Sequence, residues 1–258
     1  MFIFAAGWRS GSTLLQRLVM SSGSIFIWGE PYSHSGLIDH LSSPVKAITD
    51  IYPETEWFMG DNISDPSVFV NDWCAHLYPD INYLIESHIA FITNLFEKPA
   101  KEKGVLRWGL KDVRLTIDHA IYLNWLFPQA KFIFLYRNPY KTYASFRGSY
   151  WYTRWPTDPV YTPKRFGMHW KMLLEGYIAG HQKVNTIVVK YEDLVEGNFD
   201  FDALEEFLAL KLDKNVLQIK VGSSMEFKSN EVTSEERRIL KMIVEPLASQ
   251  LGYKYNES

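Results

Sequence analysis

The chain has 258 residues, with 27 Lys and Arg against 30 Asp and Glu, so its formal net charge is −3. Apolar residues make up 47% and charged residues 22%, which suits an α/β domain with a sizeable core and excludes collagen-like, coiled-coil and disordered chains. The near-neutral balance, with no basic arm or acidic tail, argues against nucleic acid or a membrane surface as partner.

In chain order, the apolar run Phe2–Ala6 reads as a buried strand and leads into a Gly/Ser loop and a helix over Thr13–Ser21, with Leu14, Leu15, Leu18 and Val19 on one side. A second strand is expected over Ile25–Trp28. Asp65-Pro66 pairs an N-cap residue with a first helical proline and predicts a helix towards Tyr78; another helix follows over Ile81–Phe96. Strands are expected again over Val105–Leu110, Lys131–Tyr136 and Thr186–Lys190, with helices over Thr116–Phe127, from Asn138-Pro139 through Ser145, and over Arg165–His181. Four of the five strand runs lack polar alternation, as strands buried on both faces do. Thr233-Ser-Glu-Glu236 is a capping-box pattern opening a last helix to Gln250. Strands alternating with helices predict a mainly parallel sheet flanked by helices, in a single domain over 1–258. Three prolines forbid a regular element in the aromatic stretch 149–163. It and the pair Trp57 and Phe58 are candidates to line a ligand pocket. One cysteine, Cys74, rules out an intrachain disulfide, and no apolar run reaches the roughly 18 residues of a membrane span, so the chain is expected to be cytoplasmic.

Two segments carry chemistry. In Ala6-Gly7-Trp8-Arg9-Ser10-Gly11-Ser12-Thr13-Leu14-Leu15, glycines let the backbone fold so that N–H groups converge, and the helix N-terminus adds unpaired donors. Such a loop accepts a phosphate or sulfate, and Arg9, Ser12 and Thr13 add donors. A Walker A loop would carry Lys at position 12, where this chain has Ser12; its cation comes earlier, at Arg9. In the second segment a buried strand ends in Arg137, which emerges at the carboxyl edge where parallel sheets bind ligands. Ser145, eight residues on, is placed to face the same anion.

These residues resemble a known family. R-S-G-S-T-L-L after the first strand is similar to the 5′-phosphosulfate loop of sulfotransferases that use 3′-phosphoadenosine 5′-phosphosulfate (PAPS), which implies that Arg9, Ser10, Gly11, Ser12, Thr13 and Leu14 hold the 5′-phosphate and sulfuryl group. Arg137 with Ser145 resembles the family's 3′-phosphate site. Trp108-Gly-Leu-Lys-Asp-Val-Arg114 resembles the W-G-x-K-D-P-R segment of bacterial and tyrosylprotein-type members, with Val113 in place of Pro, and Lys190-Tyr-Glu-Asp-Leu194 resembles the Y-E-D-L segment, largely structural there. The Arg-Lys-Gly motif of animal cytosolic members is absent, which leaves Ser223 and Lys228 as candidates for cofactor contacts late in the chain.

The resemblance implies a P-loop-type three-layer α/β fold and transfer of a sulfuryl group from PAPS to a hydroxyl of a small-molecule acceptor, without a metal. A role in bacterial secondary metabolism, cyanobacterial toxin pathways included, is the expected setting. Arg9 and Lys111 are suited to stabilise charge. Ile27-Trp-Gly-Glu-Pro-Tyr32 resembles the segment whose Glu is the base in bacterial and tyrosylprotein-type members, so Glu30 is the expected base; a carboxylate at a strand end with aromatic neighbours to raise its pKa suits that role. His34 and His40 are the alternatives. Two rival readings stand beside this one. A P-loop kinase would need a strand ending in an acid for Mg²⁺, and no expected strand does. A non-catalytic nucleotide-binding module would lack the base and Lys111.

Overall fold

The computed structural model describes residues 1–32, 35–59, 77–147, 162–219 and 232–255. Its core is a five-stranded sheet, every neighbouring pair parallel, in the order β2-β3-β1-β4-β5. The strands are β1 (Phe2–Ala5), β2 (Ile25–Trp28), β3 (Arg107–Asp112), β4 (Phe132–Tyr136) and β5 (Thr186–Lys190). β1 lies at the centre with all four side chains buried, as its unbroken apolar run requires. Phe2 and Phe4 meet Phe132 and Phe134 of β4 across the ladder, and Phe134 stacks on Tyr177 with centroids 4.5 Å apart.

Helices α1 (Ser12–Met20), α2 (Leu37–Lys46), α3 (Ile81–Ile92), α4 (Lys98–Glu102), α5 (Ile117–Leu126), α6 (Pro139–Arg147), α7 (Pro163–Gly180), α8 (Tyr191–Glu196), α9 (Phe201–Leu208) and α10 (Ser234–Gln250) flank the sheet. The capping box at Thr233 forms as the sequence implies, with Thr233 Oγ1 accepting from Glu236 N–H and Glu236 Oε2 from Thr233 N–H. Asn138 caps α6 through Oδ1, which accepts from the N–H groups of Tyr140 and Lys141.

The structure departs from the sequence expectation in several elements. β3 runs two residues further than Leu110, because Ile3 and Phe4 of β1 pair with Lys111 and Asp112. Those polar residues break an apolar pattern but not the backbone ladder. Contrary to the expectation that no strand ends in an acid, β3 ends in buried Asp112. The helix from Ile81 does not stop near Phe96 but continues through a π-helical turn, Thr93–Glu97, into α4. α2 went unpredicted because Pro44 interrupts its pattern, although it sits in the third turn and the helix tolerates it. The helix expected at 65–78 and nearly all of the stretch 149–163 lie outside the described residues, as do His34, Ser223 and Lys228.

Gly109 has a steric cause. A Cβ there would sit 2.0 Å from the Met1 carbonyl oxygen, so β3 approaches β1 at this register only with glycine in place.

Candidate active site

The candidate residues gather at the carboxyl ends of all five strands, where open parallel sheets form their binding crevice. β1 delivers the loop Ala6–Gly11, β2 delivers Glu30, β3 ends in Lys111 and Asp112, β4 runs into Arg137, and β5 into Tyr191.

The first loop turns through three left-handed residues, Gly7 (φ 90°), Arg9 (φ 62°) and Gly11 (φ 92°). Gly11 serves as the N-cap of α1, and no side chain caps that end and no acid occupies its first turn. The Leu14 N–H already donates to the Gly11 carbonyl at 3.0 Å; the Ser12 and Thr13 N–H groups, with no backbone acceptor among the described residues, and the partial positive charge of this end are left for an external anion. Ser12 is buried, Thr13 is exposed and Leu14 lies between the two. Ser10 is fully buried and its Oγ has no hydrogen-bond partner among the described residues.

The second segment comes to the same place. Arg9 Nε donates to Ser145 Oγ at 3.0 Å, and an Arg137 guanidinium NH₂ group donates to the Arg9 carbonyl at 2.9 Å. The two guanidinium groups lie close enough that burial first, and the charge of Arg137 second, lower the pKa of Arg9 from its ordinary value. Arg137 Nε is buried without a partner among the described residues. Two adjacent cations at one helix end are suited to cradle an anion.

The Y-E-D-L segment has a visible structural task here. The Arg137 guanidinium lies over the Tyr191 ring at 4.2 Å, and Gly11 packs so closely on the same ring that a Cβ would come within 2.1 Å of it. Glu192 accepts from Asn138 N–H at 3.0 Å and from the Tyr253 hydroxyl at 2.8 Å, tying the turn after β4 to the C-terminal segment.

Beside the cradle, Lys111 Nζ donates to Glu30 Oε1 in an ion pair whose lysine side chain is only 6% exposed. The described partner of Glu30 is thus an ammonium group, not an aromatic wall. His40 is exposed on α2. Trp57 and Phe58 pack edge-to-face against Tyr78.

A cleft of about 370 Å³ opens between α2, the end of β3, α5 and α7. Its lining includes Pro31, Ile38, Asp112, Arg114, His169 and Met172. Trp8 of the first loop stacks on His169 at 5.0 Å and lies under the Arg114 guanidinium at 5.7 Å, so this wall is attached to the anion loop. Burial above all, and the charge of Glu30 second, push the Asp112 carboxyl up from 3.8 to about 6. Sequence reasoning singled out neither Asp112 nor His169. Asp112 carried a signal, an acid next to Lys111 in an apolar strand; His169 carried none beyond its place on a helix.

A family model described as "Sulfotransferase family" matches residues 2–213. No curated protein sequence matches the chain. Among solved structures, the sulfotransferase domain of the Synechococcus PCC 7002 olefin synthase superposes with a TM-score of 0.54 at 18% identity, covering 99% of this chain and 95% of that one. The sulfotransferase domain from the curacin biosynthetic pathway gives 0.53 at 16% identity, over 99% and 98% of the two chains. At such identities the superpositions speak for the fold, and the match over residues 2–213 speaks for descent: the chain belongs to the sulfotransferase family.

Proposed function

We propose that this sulfotransferase moves a sulfuryl group from PAPS to a hydroxyl of a small-molecule acceptor. The observation that carries the reading is the convergence of Arg9, Arg137 and Ser145 on the uncapped N-terminus of α1, beside the Lys111–Glu30 pair. A bisphosphorylated donor fits this cradle. Among the described residues, buried Ser10 Oγ and Arg137 Nε lack partners and the Ser12 and Thr13 N–H groups of α1 have no backbone acceptor, and two guanidinium groups stand side by side. Ser10, Gly11, Ser12, Thr13 and Leu14 would hold its 5′ end with Arg9; Arg137 and Ser145 would hold its 3′-phosphate. When bound, PAPS supplies an activated sulfuryl group and leaves as adenosine 3′,5′-bisphosphate.

The residues of the chain then have separable tasks. Arg9 and Lys111 place positive charge where negative charge develops, an effect strengthened by burial. Glu30 accepts the hydroxyl proton of the acceptor, and the lysine ammonium holds the carboxylate in position until it does. The cleft beside Glu30 receives the acceptor and keeps it in line with the cradle. The two structural neighbours belong to an olefin synthase and to the curacin pathway, which supports a biosynthetic role in a bacterium.

The kinase reading has acquired a strand-end acid in Asp112, but position 12 remains a buried serine where that chemistry needs lysine. Calorimetric titration with adenosine 3′,5′-bisphosphate in the absence of metal decides between them. Micromolar or tighter binding is the expected result. Binding of ATP–Mg²⁺ with none of the bisphosphate would overturn the proposal.

A further inference from the structure

The tasks above leave the buried acid Asp112 unused. Asp112 closes β3, is 5% exposed, and lines the 370 Å³ cleft with Arg114, Leu115, Thr116 and Met172. Its Oδ1 accepts from Arg114 N–H at 2.7 Å, and among the described residues no side chain donates to either of its oxygens. Other acids that are part of the packed structure do have such partners: Glu30 has Lys111, Glu205 has Lys211, Glu236 has Arg147, and Asp39 has Lys46 and His119. A buried carboxylate with one backbone donor is costly unless something else completes its shell. Its raised affinity for a proton, to about 6, reflects the same shortage of donors. The opening next to it is the cleft.

We infer that Asp112 anchors the acceptor through a second donor group, a hydroxyl or an ammonium, so that the site selects compact diols and amino alcohols over monohydric alcohols. The inference rests on reading the cleft as the acceptor site of the sulfotransferase. Two structural features agree with it. The cleft is small, and its described lining contains no Phe, Tyr or Trp to stack on a flat aryl group. The charge of Glu30 reaches the Asp112 carboxyl, and Pro31, next to Glu30, lines the same cleft, so an acceptor held there has its reacting hydroxyl near the Lys111–Glu30 pair. Asp112 acts here as a specificity residue and takes no proton in the transfer.

The test uses the Met172 methyl as a reporter inside the cleft, in methyl-labelled protein saturated with adenosine 3′,5′-bisphosphate and assigned with Met172→Leu. The probes are cyclohexanol, trans-1,2-cyclohexanediol and trans-2-aminocyclohexanol. Both two-donor probes are expected to shift the Met172 signal at roughly tenfold lower concentration than cyclohexanol, since each adds a hydrogen bond to a buried charge. In Asp112→Asn, which still accepts from Arg114 N–H, the advantage of the amino alcohol is expected to fall about tenfold. Equal binding of the three probes, an unchanged preference in the variant, or no shift at Met172 would each overturn the inference. Should the variant not fold, the comparison of probes on the wild-type protein still decides it. Failure of the bisphosphate to bind is read separately by calorimetry and counts against the sulfotransferase reading, whereas the probe comparison, repeated without bisphosphate, continues to judge Asp112.

Discussion

Arg9 Nε donates to Ser145 Oγ at 3.0 Å, joining two segments that stand 136 residues apart in the chain. The bond crosses from the loop after β1 to α6, and Arg137 closes the same junction by donating to the Arg9 carbonyl. The two candidate anion-binding segments are therefore joined, and if they hold the donor as proposed, damage to either half should be felt by the whole ligand.

Arg137→Ala tests this directly. Removing a charge-assisted partner of a phosphate is expected to weaken binding of adenosine 3′,5′-bisphosphate by on the order of 2 kcal/mol, about 30-fold. Calorimetry reads the change. Wild-type affinity in the variant would take Arg137 out of the site.

Glu30→Gln and Lys111→Ala separate chemistry from binding. Glu30→Gln is expected to leave bisphosphate affinity nearly intact and to lower turnover by roughly 10²-fold or more, as loss of a positioned base does. Lys111→Ala should also act mainly on turnover, because the ammonium stabilises charge and holds Glu30. Release of bisphosphate from PAPS in the presence of an accepted alcohol measures both. Turnover that survives Glu30→Gln would move the base elsewhere, with His40 the described candidate.

Gly11→Ala addresses the geometry of the cradle. The new Cβ would meet the Tyr191 ring at 2.1 Å, and φ there is 92°, so both the ring and the backbone must move. The expected cost is about 1–3 kcal/mol of stability, with weakened bisphosphate binding. Adding Tyr191→Ala should relieve the steric part but not the backbone strain, so the double variant is expected to be less unstable than the sum of the two single changes. Additive losses in urea unfolding would contradict the packing described.

Asp112 makes a prediction about pH. Its carboxyl titrates near 6 in the folded protein against 3.8 ordinarily, so the folded state binds the proton more tightly and this group's contribution to stability falls as pH rises from about 4 to 6. The full span corresponds to about 3 kcal/mol. Asp112→Asn should match the wild type near pH 4 and be the more stable protein above pH 6.5. Urea unfolding at several pH values measures the difference, in which contributions from Asp39, His119 and Glu236 cancel. A variant less stable than wild type at pH 7.5 would show that the ionised carboxylate is well compensated.

The legible parts of the fold share a cause. β1, β2, β4 and β5 are apolar runs bounded by turn residues, and caps such as Asn138 and Thr233 act through bonds to residues two or three positions away. Such interactions are local, so the sequence displays them. The misses are cases where distant partners decide. β3 reaches Asp112 because β1 offers Ile3 and Phe4 as ladder partners, and α2 keeps its helical course past Pro44.

The site divides along the same line. The amino-acid sequence by itself determined the glycine-containing loop, the cation at Arg9, Arg137 at a strand end and Ser145 two turns on, because backbone curvature and helix ends depend on neighbouring residues. Only the tertiary structure decided that Arg9 meets Ser145, that Tyr191 supports both Gly11 and Arg137, that Lys111 pairs with Glu30, and that Asp112 is left buried without a side-chain donor. Those relationships depend on which strand ends lie side by side in a sheet ordered β2-β3-β1-β4-β5, and on the low dielectric that burial imposes on charges brought together there.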